Sequence, residues 1–347
     1  MFNRLLGRFS SDIGIDLGTN NTLVYVKDKG IVIAEPSVVA INTRNNQIIS
    51  IGEEAKKMVG KTPPHIQIFK PLVGGVISDF EITEKMLKHF IDKIHRETFS
   101  VIPRPRVVIG IPLNVTEVER KAVEDATKSA GAREVYLVEQ PIAAAIGARV
   151  PIQEPSGFMV VDMGGGKTEI AVISLSGVVT FNTLPIAGNE LDENIIQYAR
   201  ENFNLLLGNK TAEEIKIKIG TVTSEGETQE TTMRGRDLIS GLPKEVLVSS
   251  LQIKEAIIRS VRQIVEAIRD TIEKTPPELV ADIYERGLLL SGGGAQLRGL
   301  DKLISQESKI PVHIVDDPLT AVVRGTGIIL EDLEGLKEVL LPSASED

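Results

Sequence analysis

The sequence predicts an α/β fold built from two related domains, and three observations carry this prediction. Residues 12–26 and residues 158–173 share one plan: an apolar strand, an Asp-x-Gly turn, polar residues and a second apolar strand. After each segment come further short β-branched strands and then alternating helices and strands. The prolines and glycine of residues 150–157 interrupt both helix and strand periodicity, so this stretch is predicted to connect the domains.

The composition suits two hydrophobic cores and argues against several classes of function. With 347 residues, 42% hydrophobic and 25% charged, the chain is long enough for two domains. A net charge of -9 without a long basic run predicts no nucleic-acid partner. The sequence has no cysteine and its four histidines lack metal-ligand spacing, so any metal is expected to bind through oxygen atoms. No apolar run approaches the roughly 20 residues that span a bilayer, and no secretory cleavage site follows the N-terminus, so we expect a cytoplasmic protein.

Apolar patterning predicts the elements of the first half in order. Thr116 is followed three residues later by Glu119, which is the capping-box signature of a helix that continues to Gly131. Two other segments have helical periodicity, residues 83–96 and residues 142–147. Short β-branched runs predict strands at residues 31–33, 38–41, 47–51, 107–110 and 135–138.

The second half continues the alternation. A long amphipathic helix is predicted over residues 252–274, and Pro276-Pro277 is predicted to end it. The polar residues 221–230 indicate a surface loop, and the apolar residues 287–291 indicate a buried strand. Further helices are predicted at residues 189–202, 211–218, 297–305 and 319–330.

Three glycine-rich turns are candidates for contact with a ligand. Backbone N–H groups in such turns can approach phosphate oxygens closely, because glycine has no Cβ in the way. The first turn is residues 16–22 and the second is residues 162–168. The third, residues 291–295, lies between a predicted strand and helix, where it could contact a base and sugar. Glycine turns are common in ordinary hairpins, so one of them alone would be weak evidence.

Two carboxylates strengthen the case for the first two turns. Asp16 and Asp162 each end an apolar strand immediately before a glycine turn. A carboxylate there would be unfavourable unless it met a cation, and Mg²⁺ bound through water is a suitable partner. The alternative is that each aspartate only caps its own turn through a side-chain hydrogen bond.

Taken in order, these motifs resemble the MreB family within the superfamily of actin, sugar kinases and heat-shock chaperone ATPases. The resemblance implies an actin-like ATPase fold: two duplicated RNase H-like domains with small inserted subdomains around a nucleotide cleft. It extends over nearly the whole chain, and the matching segments are residues 15–19, 35–39, 52–56, 60–63, 75–80, 105–110, 143–148, 211–216, 240–243, 274–279, 291–295 and 325–327.

The resemblance also implies how the chain is divided. Residues 1–11 form an amphipathic N-terminal segment. Domain I comprises residues 12–150 and 318–347, with an inserted subdomain at about 33–75. Domain II comprises residues 151–317, with an inserted subdomain at about 185–248.

ATP or GTP with Mg²⁺ is the ligand that the resemblance implies. Glu213 and Lys216, one helical turn apart, would contact ribose and adenine. Asp16 and Asp162 would hold Mg²⁺ through water, and the catalytic group would consist of Glu139, Gln140, Asp162 and Lys167. The implied nucleotide contacts are Asp16, Gly18, Thr19, Asn20, Asn21, Gly164, Gly165, Gly166, Lys167, Gly188, Glu213, Lys216, Gly292, Gly293, Gly294 and Ala295.

Three departures from the family pattern bear on catalysis. Gln140 stands where most members have a glutamate thought to orient the attacking water, and an amide is a far poorer general base. Lys167 replaces a threonine of the second turn, so its charge either lies beside the γ-phosphate or points to solvent. Residues 72–75 lack the basic residue and the aspartate that usually precede the glycine. We therefore expect a slow ATPase coupled to polymerisation, in which Gln140 and Lys167 impair the hydrolysis of ATP.

Two apolar segments are candidates for membrane contact. The first is an N-terminal helix whose apolar face is Phe2, Leu5, Leu6 and Phe9. The second is the loop containing Phe99, Val101 and Ile102, where members of the family have a membrane-inserting loop. The alternatives are a disordered or core-docked terminus and a buried loop. The resemblance favours a cytoplasmic protein peripheral to the inner face of the cell membrane.

The expected partner is the chain itself, as a homopolymer of antiparallel double protofilaments, and by analogy the cell-wall synthesis complex. Filaments arise when a heterologous interface does not close. Two rival interpretations remain open. One is a monomeric ATPase of the same fold, such as a chaperone domain or a sugar kinase. The other is a nucleotide-locked filament scaffold with little turnover.

Overall fold

The computed structural model describes residues 11–98 and 104–342, which form two compact units. The first unit comprises Met1–Ser156, Ile173–Val179 and Leu319–Asp347. The second comprises Gly157–Val172 and Thr180–Pro318. Each unit contains a central sheet and its own hydrophobic core. Among the described residues, the first unit adds two small antiparallel sheets and the second adds one.

The strands are short, and most lie where β-branched residues are concentrated. In chain order they are β1 Ile13–Leu17, β2 Asn21–Val26, β3 Gly30–Pro36, β4 Val39–Asn42, β5 Gln47–Ile51, β6 Ile66–Phe69, β7 Leu72–Val73, β8 Val76–Ile77, β9 Arg106–Ile111, β10 Glu134–Glu139, β11 Phe158–Met163, β12 Thr168–Ser174, β13 Gly177–Leu184, β14 Leu205–Leu206, β15 Glu230–Asp237, β16 Pro243–Ser249, β17 Leu288–Ser291, β18 Val312–Ile314 and β19 Leu340–Leu341.

The helices alternate with these strands. They are α1 Glu53–Met58, α2 Phe80–Thr98, α3 Glu117–Ser129, α4 Gln140–Gly147, α5 Gly188–Phe203, α6 Asn209–Ile219, α7 Ser250–Glu273, α8 Pro277–Arg286, α9 Leu300–Ser308 and α10 Ala321–Glu331. Short 3₁₀ turns occur at Gly293–Gln296, Pro318–Thr320 and Lys337–Val339.

The first unit is organised around a six-stranded sheet in the order β19-β10-β9-β1-β2-β3. Strands β1, β9 and β10 run parallel, while β2 returns antiparallel to β1. The carboxyl ends of the three parallel strands therefore lie at one edge of the sheet. The side chains of β1 and β9 are buried against α2, where Met86, Leu87 and Phe90 join the same core.

The second unit has a five-stranded sheet in the order β13-β12-β11-β17-β18. Every residue of β11 is buried, as expected of a strand covered on both faces. Strand β17 runs parallel to both β11 and β18. The predicted apolar face of α7 is confirmed, since Ile253, Ile257, Val261, Ile264, Val265 and Ile268 are all buried in this core.

Side-chain capping fixes where two of the helices begin. The predicted capping box of α3 is confirmed, because Thr116 accepts from the N–H of Glu119 while the Glu119 carboxylate accepts from the N–H of Thr116. Ser249 and Gln252 form a second capping box at the start of α7. This second capping box was not predicted, and α7 begins two residues before the predicted start.

Proline and glycine explain two further differences from the predicted elements. The helix α7 ends at Glu273, near its predicted end, but Pro277 also begins α8, because proline has no N–H to lose at the first helical position. The helix predicted at residues 297–305 begins at Leu300 instead, after Gly299 adopts a left-handed conformation with φ of 81°. The 3₁₀ turn Gly293–Gln296 occupies the preceding residues.

No helix in the described ranges, residues 11–98 and 104–342, is long and apolar enough to cross a membrane. The residues predicted to contact a membrane surface, Phe2, Leu5, Leu6, Phe9, Phe99, Val101 and Ile102, all lie outside the described residues.

Candidate functional site

The first glycine turn joins β1 to β2, and Gly18 is the residue that allows it to close. A Cβ on Gly18 would lie 2.6 Å from the carbonyl oxygen of Asn21, which is closer than real Cβ contacts come. Asn20 is half-buried and Asn21 is exposed. A side chain at position 18 would therefore open the turn.

Ser37 holds this turn from the following segment. Its N–H donates to the carbonyl of Asn20 at 2.9 Å, and its hydroxyl donates to the carbonyl of Gly18 at 2.6 Å. The hydroxyl of Thr22 lies 2.9 Å from the Ser37 hydroxyl and therefore donates to it. Both side chains are fully buried, so the conformation of the turn is determined by contacts that solvent does not reach.

Thr19 is oriented by the β7–β8 hairpin. Gly74 and Gly75 form its two-residue turn with φ of 57° and 82°, the signature of a type I′ turn. The N–H of Gly75 donates to the Thr19 hydroxyl at 2.8 Å. The departure from the family pattern at residues 72–75 therefore provides two glycines for this turn. Glycine readily adopts the positive φ that both turn positions need.

Asp16 meets Gln140 at the carboxyl edge of the first sheet. Gln140 begins α4, and its Nε2 donates to Oδ1 of Asp16 at 3.3 Å. Gly110 on β9 lies between them, paired with Asp16 on one side and with Val138 on the other. A Cβ on Gly110 would lie 3.3 Å from Cγ of Gln140, so the glycine leaves the space through which the amide reaches Asp16.

Glu139 is half-buried at the end of β10, next to Gln140. Burial raises the pKa of its carboxyl group, and the positive charge of Arg120 on α3 lowers that pKa in part. Glu139, Gln140 and Asp16 thus lie at one edge of the first sheet.

The second glycine turn joins β11 to β12 in the other unit. The N–H of Gly164 donates to the carbonyl of Lys167 at 3.0 Å and closes the turn. Its carbonyls are engaged by the start of α5: Gly188 N–H donates to Gly164 at 3.1 Å, and Asn189 N–H donates to Gly165 at 2.8 Å. Gly164, Gly165 and Gly166 are half-buried.

Asp162 is a buried carboxylate with unused hydrogen-bonding capacity. Only 8% of it is exposed, and its Oδ1 has no hydrogen-bond partner among the described residues. Burial raises the pKa of Asp162 to about 6, and the hydroxyl of Ser291, paired with it across β11 and β17, lowers that pKa in part. A hydrated cation would supply the missing partner, so the donor set fits Mg²⁺ bound through water.

The third glycine cluster lies directly against Asp162. Gly292 has a φ of 80°, and a Cβ there would lie 2.5 Å from the Met163 carbonyl oxygen and 3.0 Å from Oδ1 of Asp162. A Cβ on Gly294 would lie 2.2 Å from Cγ of Met163. Gly293 is exposed and Ala295 is buried. The second and third turns therefore meet within one unit.

Lys216 on α6 is tied to the start of α5. Its Nζ lies 2.8 Å from the Asp192 carboxylate and donates to the Gly188 carbonyl at 2.7 Å. Both side chains of this ion pair are largely buried, with exposed fractions of 15% and 10%. Glu213, one turn earlier on α6, is half-buried. The contacts of Lys216 link the predicted nucleoside-binding helix to the predicted phosphate turn.

Lys167 is half-buried beside the second turn. The neighbouring Thr168 is fully buried, and its hydroxyl donates to the Ile186 carbonyl at 2.7 Å. The buried Thr168 thus ties the end of the turn to residue 186, and the half-buried Lys167 is the charged side chain of the turn.

The predicted residues therefore fall into two groups, one in each unit. The first unit holds Asp16, Gly18, Thr19, Asn20, Asn21, Glu139 and Gln140, and the second holds Asp162, Gly164, Gly165, Gly166, Lys167, Gly188, Glu213, Lys216, Gly292, Gly293, Gly294 and Ala295. Sequence reasoning missed Ser37, Gly75 and Asp192, which position these residues. Ser37 and Gly75 lay within segments already singled out, residues 35–39 and residues 72–75, but neither had been assigned this role.

Comparison with known proteins now decides the family. The family model for MreB/Mbl protein matches residues 10–338 of the chain. This chain belongs to the MreB/Mbl family. The resemblance identified from the motifs is thereby confirmed.

Two curated relatives of this MreB/Mbl chain are cell shape-determining proteins. Mbl of Bacillus subtilis (strain 168) is 48% identical over 328 residues, which cover 94% of this chain and 98% of Mbl. MreB of Escherichia coli (strain K12) is 48% identical over 338 residues, which cover 96% of this chain and 97% of that MreB.

Solved structures confirm the actin-like fold of this MreB/Mbl chain. The crystal structure of MreB5 of Spiroplasma citri bound to ADP superposes with a TM-score of 0.90 at 36% identity, covering 95% of this chain and 98% of MreB5. The same protein bound to AMPPNP gives the same values. The chain is thus a member of a family of actin-like proteins with a cytoskeletal role.

Proposed function

We propose that this chain is an ATP-binding bacterial actin-like protein that polymerises into filaments and hydrolyses ATP slowly. The observation that carries the proposal is the pair of aspartates, Asp16 and Asp162. Each stands at the end of a buried strand directly before a glycine turn, one in each unit of an MreB/Mbl-family chain. The related MreB5 was crystallised with ADP and with AMPPNP, which supports an adenine nucleotide as the ligand.

The residues would divide the ligand between them as follows. The turns at Gly18–Asn20 and Gly164–Gly166 would donate N–H groups to phosphate oxygens. Gly292–Gly294 and Glu213 would contact the nucleoside. Asp16 and Asp162 would hold Mg²⁺ through water, and the ion would neutralise charge on the phosphates.

Nucleotide binding and filament formation can be tested together. Equilibrium binding of Mg-ATP and Mg-GTP to the full chain would establish the base preference. Asp16→Asn and Asp162→Asn are each expected to weaken binding of the Mg-nucleotide, because each removes a negative charge from the metal site. Absence of Mg-ATP binding to the unmodified chain would overturn the proposal.

Electron microscopy beside a phosphate-release assay separates the three competing functions. Filaments with slow phosphate release support the proposal. Filaments without phosphate release support a nucleotide-locked scaffold, and phosphate release without filaments supports a monomeric ATPase of the same fold.

Slow turnover is proposed because of Gln140 and Lys167. The Gln140 amide donates to Asp16 in this structure, so it can orient water but can take a proton only poorly. We expect the double variant Gln140→Glu, Lys167→Thr to release phosphate faster during polymerisation than the unmodified chain. Equal rates in the two proteins would remove this part of the proposal.

Membrane binding through residues 2–9 and 99–102 is a further part of the proposed function. The described residues next to these segments are joined: the N–H of Arg106 donates to Asp12 at 2.9 Å, and its guanidinium donates twice more to the same carboxylate, at 2.8 and 2.6 Å. The described residues that follow these two segments therefore lie together at the amino ends of β1 and β9. One short apolar segment binds a bilayer weakly, and polymerisation would multiply that affinity.

Co-sedimentation with anionic liposomes tests the membrane proposal. A chain lacking residues 1–9 should pellet less than the full chain under polymerising conditions. Undiminished pelleting would reject the N-terminal anchor. By analogy with the cell shape-determining relatives, we further propose that the filaments help to set rod shape by organising cell-wall synthesis at the inner face of the membrane.

A further inference from the structure

Arg298 connects two parts of the second unit that are distant in sequence. Its Nη2 donates to the carbonyl of Ile219 at 2.9 Å, and its Nε donates to the carbonyl of Gly220 at 3.1 Å. In the opposite direction, its backbone carbonyl accepts from the N–H of Val222 at 2.9 Å and from the Thr221 hydroxyl at 3.2 Å. Four hydrogen bonds thus join residue 298 to residues 219–222.

The carbonyls that Arg298 engages lie at the end of α6. The last carbonyls of a helix have no partner within the helix and carry partial negative charge, so a guanidinium binds them favourably. Helix α6 ends at Ile219, and the N–H of Gly220 donates back to the carbonyl of Lys216 at 2.8 Å. The Arg298 contacts therefore lie one turn away from Lys216.

Arg298 also lies three residues after the third glycine cluster, residues 291–295. The N–H of Leu297 donates to the carbonyl of Gly294 at 3.0 Å and closes the 3₁₀ turn of that cluster. A Cβ on Gly220 would lie 3.2 Å from Cδ1 of Leu297, so the two segments are already in close contact. A continuous path of bonds runs from Gly294 through Arg298 to α6.

We propose that Arg298 is a positioning residue that fixes the distance between α6 and the Gly292–Gly294 cluster. By holding these two elements in place, Arg298 increases the affinity of the protein for the nucleoside part of its ligand. This inference rests on the proposed nucleotide-binding function, in which these two elements contact the base and sugar. Arg298 itself does not contact the ligand in this scheme. Its effect should be larger on the nucleoside than on the phosphates, because Ser37 and Thr168 hold the phosphate turns independently of α6.

An arginine suits this position better than a lysine. Its planar fork can donate to two carbonyls at once, whereas an ammonium group is a point charge on a flexible stem. Arg298→Lys should therefore keep the charge near the helix end but lose one of the two side-chain contacts. Its effect on binding is expected to lie between those of the unmodified chain and Arg298→Ala.

The test compares Mg-ATP with inorganic Mg-tripolyphosphate, which carries phosphates but no nucleoside. In Arg298→Ala we expect Mg-ATP binding to weaken about tenfold while tripolyphosphate binding stays within about twofold. Arg298→Lys should restore part of the Mg-ATP affinity. Arg234→Ala is the matched control, because Arg234 is an exposed arginine of the same unit whose ion-pair partner, Glu245, is also exposed.

The outcomes distinguish this inference from the proposed function. If the unmodified chain binds no Mg-ATP, the proposed function fails and the inference fails with it. If the unmodified chain binds Mg-ATP but Arg298→Ala binds it equally well, only the inference is overturned. Equal weakening of Mg-ATP and tripolyphosphate would show a general structural role and would also overturn it. If Arg298→Ala does not fold, the same comparison of Mg-ATP with tripolyphosphate binding is made on Arg298→Lys. Weaker binding of Mg-ATP alone supports the inference, and any other result overturns it.

Discussion

The amide of Gln140 gives the Asp16 carboxylate a neutral hydrogen-bond donor. A glutamate at the same position would place a second carboxylate at about the same distance, where like charges raise the pKa of one of the pair. Gly110 allows this approach, because it leaves the space between the two strands open. The first unit thus gives Oδ1 of Asp16 a hydrogen-bond donor, whereas Oδ1 of Asp162 in the second unit has none among the described residues.

The raised pKa of Asp162 predicts a pH-dependent stability. The folded chain keeps the proton up to a pH of about 6, whereas an unfolded aspartate has a pKa near 3.9. The stability contributed by the protonated group is thus fully present below about pH 4 and is lost as pH rises through about 6. In EDTA without nucleotide at about pH 7.5, Asp162→Asn should be more stable than the unmodified chain by on the order of 1–3 kcal/mol.

Urea unfolding at several pH values measures this difference. It should shrink towards about pH 4, where the unmodified chain is also neutral at this position. Asp270→Asn, which changes an exposed aspartate of α7, is the control and should show little difference at any pH. A stabilisation by Asp162→Asn that does not vary with pH would contradict the assigned cause.

Removing one charge of the buried pair Lys216 and Asp192 should cost more stability than removing both. Lys216→Met leaves the Asp192 carboxylate buried without its cation and should destabilise the chain by about 3 kcal/mol. Adding Asp192→Leu should restore much of the loss, since it removes the uncompensated charge. Denaturant unfolding measures both variants, and Lys302→Met is the control because Lys302 and its partner Glu225 are both exposed. A double variant no more stable than Lys216→Met would count against the ion pair as the cause.

The site residues that could be predicted are those with a local signature. Asp16, Asp162 and the glycines were identified because each aspartate ends an apolar run and precedes a turn. Ser37 and Gly75 were missed because they act across 19 and 56 residues of sequence, and no local pattern marks such contacts. Lys216 was identified by resemblance, but its buried partner Asp192 could be found only from the structure.

At the scale of elements, α10 lies unusually close to its neighbours. A Cβ on Gly325 would lie 1.8 Å from the Ala143 carbonyl oxygen of α4, and one on Gly147 would lie 1.9 Å from the Ala321 carbonyl oxygen. A Cβ on Gly14 of β1 would lie 2.5 Å from the Thr326 hydroxyl. Because α4 begins with Gln140, this packing determines where the amide reaches Asp16.

The close approach predicts that Gly325→Ala separates α4 from α10. The added methyl group would meet backbone rather than a movable side chain, so we expect a loss of about 3 kcal/mol, at the upper end of typical overpacking. Denaturant unfolding measures it, and Gly177→Ala is the control because a Cβ there would meet only an oxygen at 3.9 Å. A variant as stable as the control would show that the helices can move apart freely.

Elements with strong periodicity were predicted well, and weakly patterned ones were not. The capping box of α3 and the face of α7 followed from residue spacing. Strands β15 and β16 were missed because most of their residues are polar or exposed and only one residue of each is buried. Helix α8 was missed because Pro277 was interpreted only as a stop, although proline at a first helical position favours a start.

At the scale of the whole molecule, each unit carries its own core and its own part of the proposed site. The composition and the duplicated strand-turn-strand plan predicted two related α/β domains. The family resemblance implied the actin-like fold, and that fold is confirmed. What the sequence could not supply is the set of long-range contacts that orients each turn within its unit.

The proposed function predicts that Mg-ATP protects the aspartate turns of both units. With Mg-ATP at a concentration of 100 Kd, the chain should gain about 2.7 kcal/mol in stability by mass action. Hydrogen exchange should slow at the β1–β2 turn and at the β11–β12 turn together. Asp270→Asn with Mg-ATP serves as a positive control for both effects. Protection confined to one unit would contradict a shared ligand.

The Asp12–Arg106 pair has a mechanical consequence. The pair ties β1 to β9 at their amino ends, immediately beside the positions where the two proposed membrane segments join the described chain. A pull on the N-terminal segment would reach β1 next to this pair. The three hydrogen bonds would pass part of that load from β1 to β9, so the two strands would resist it together.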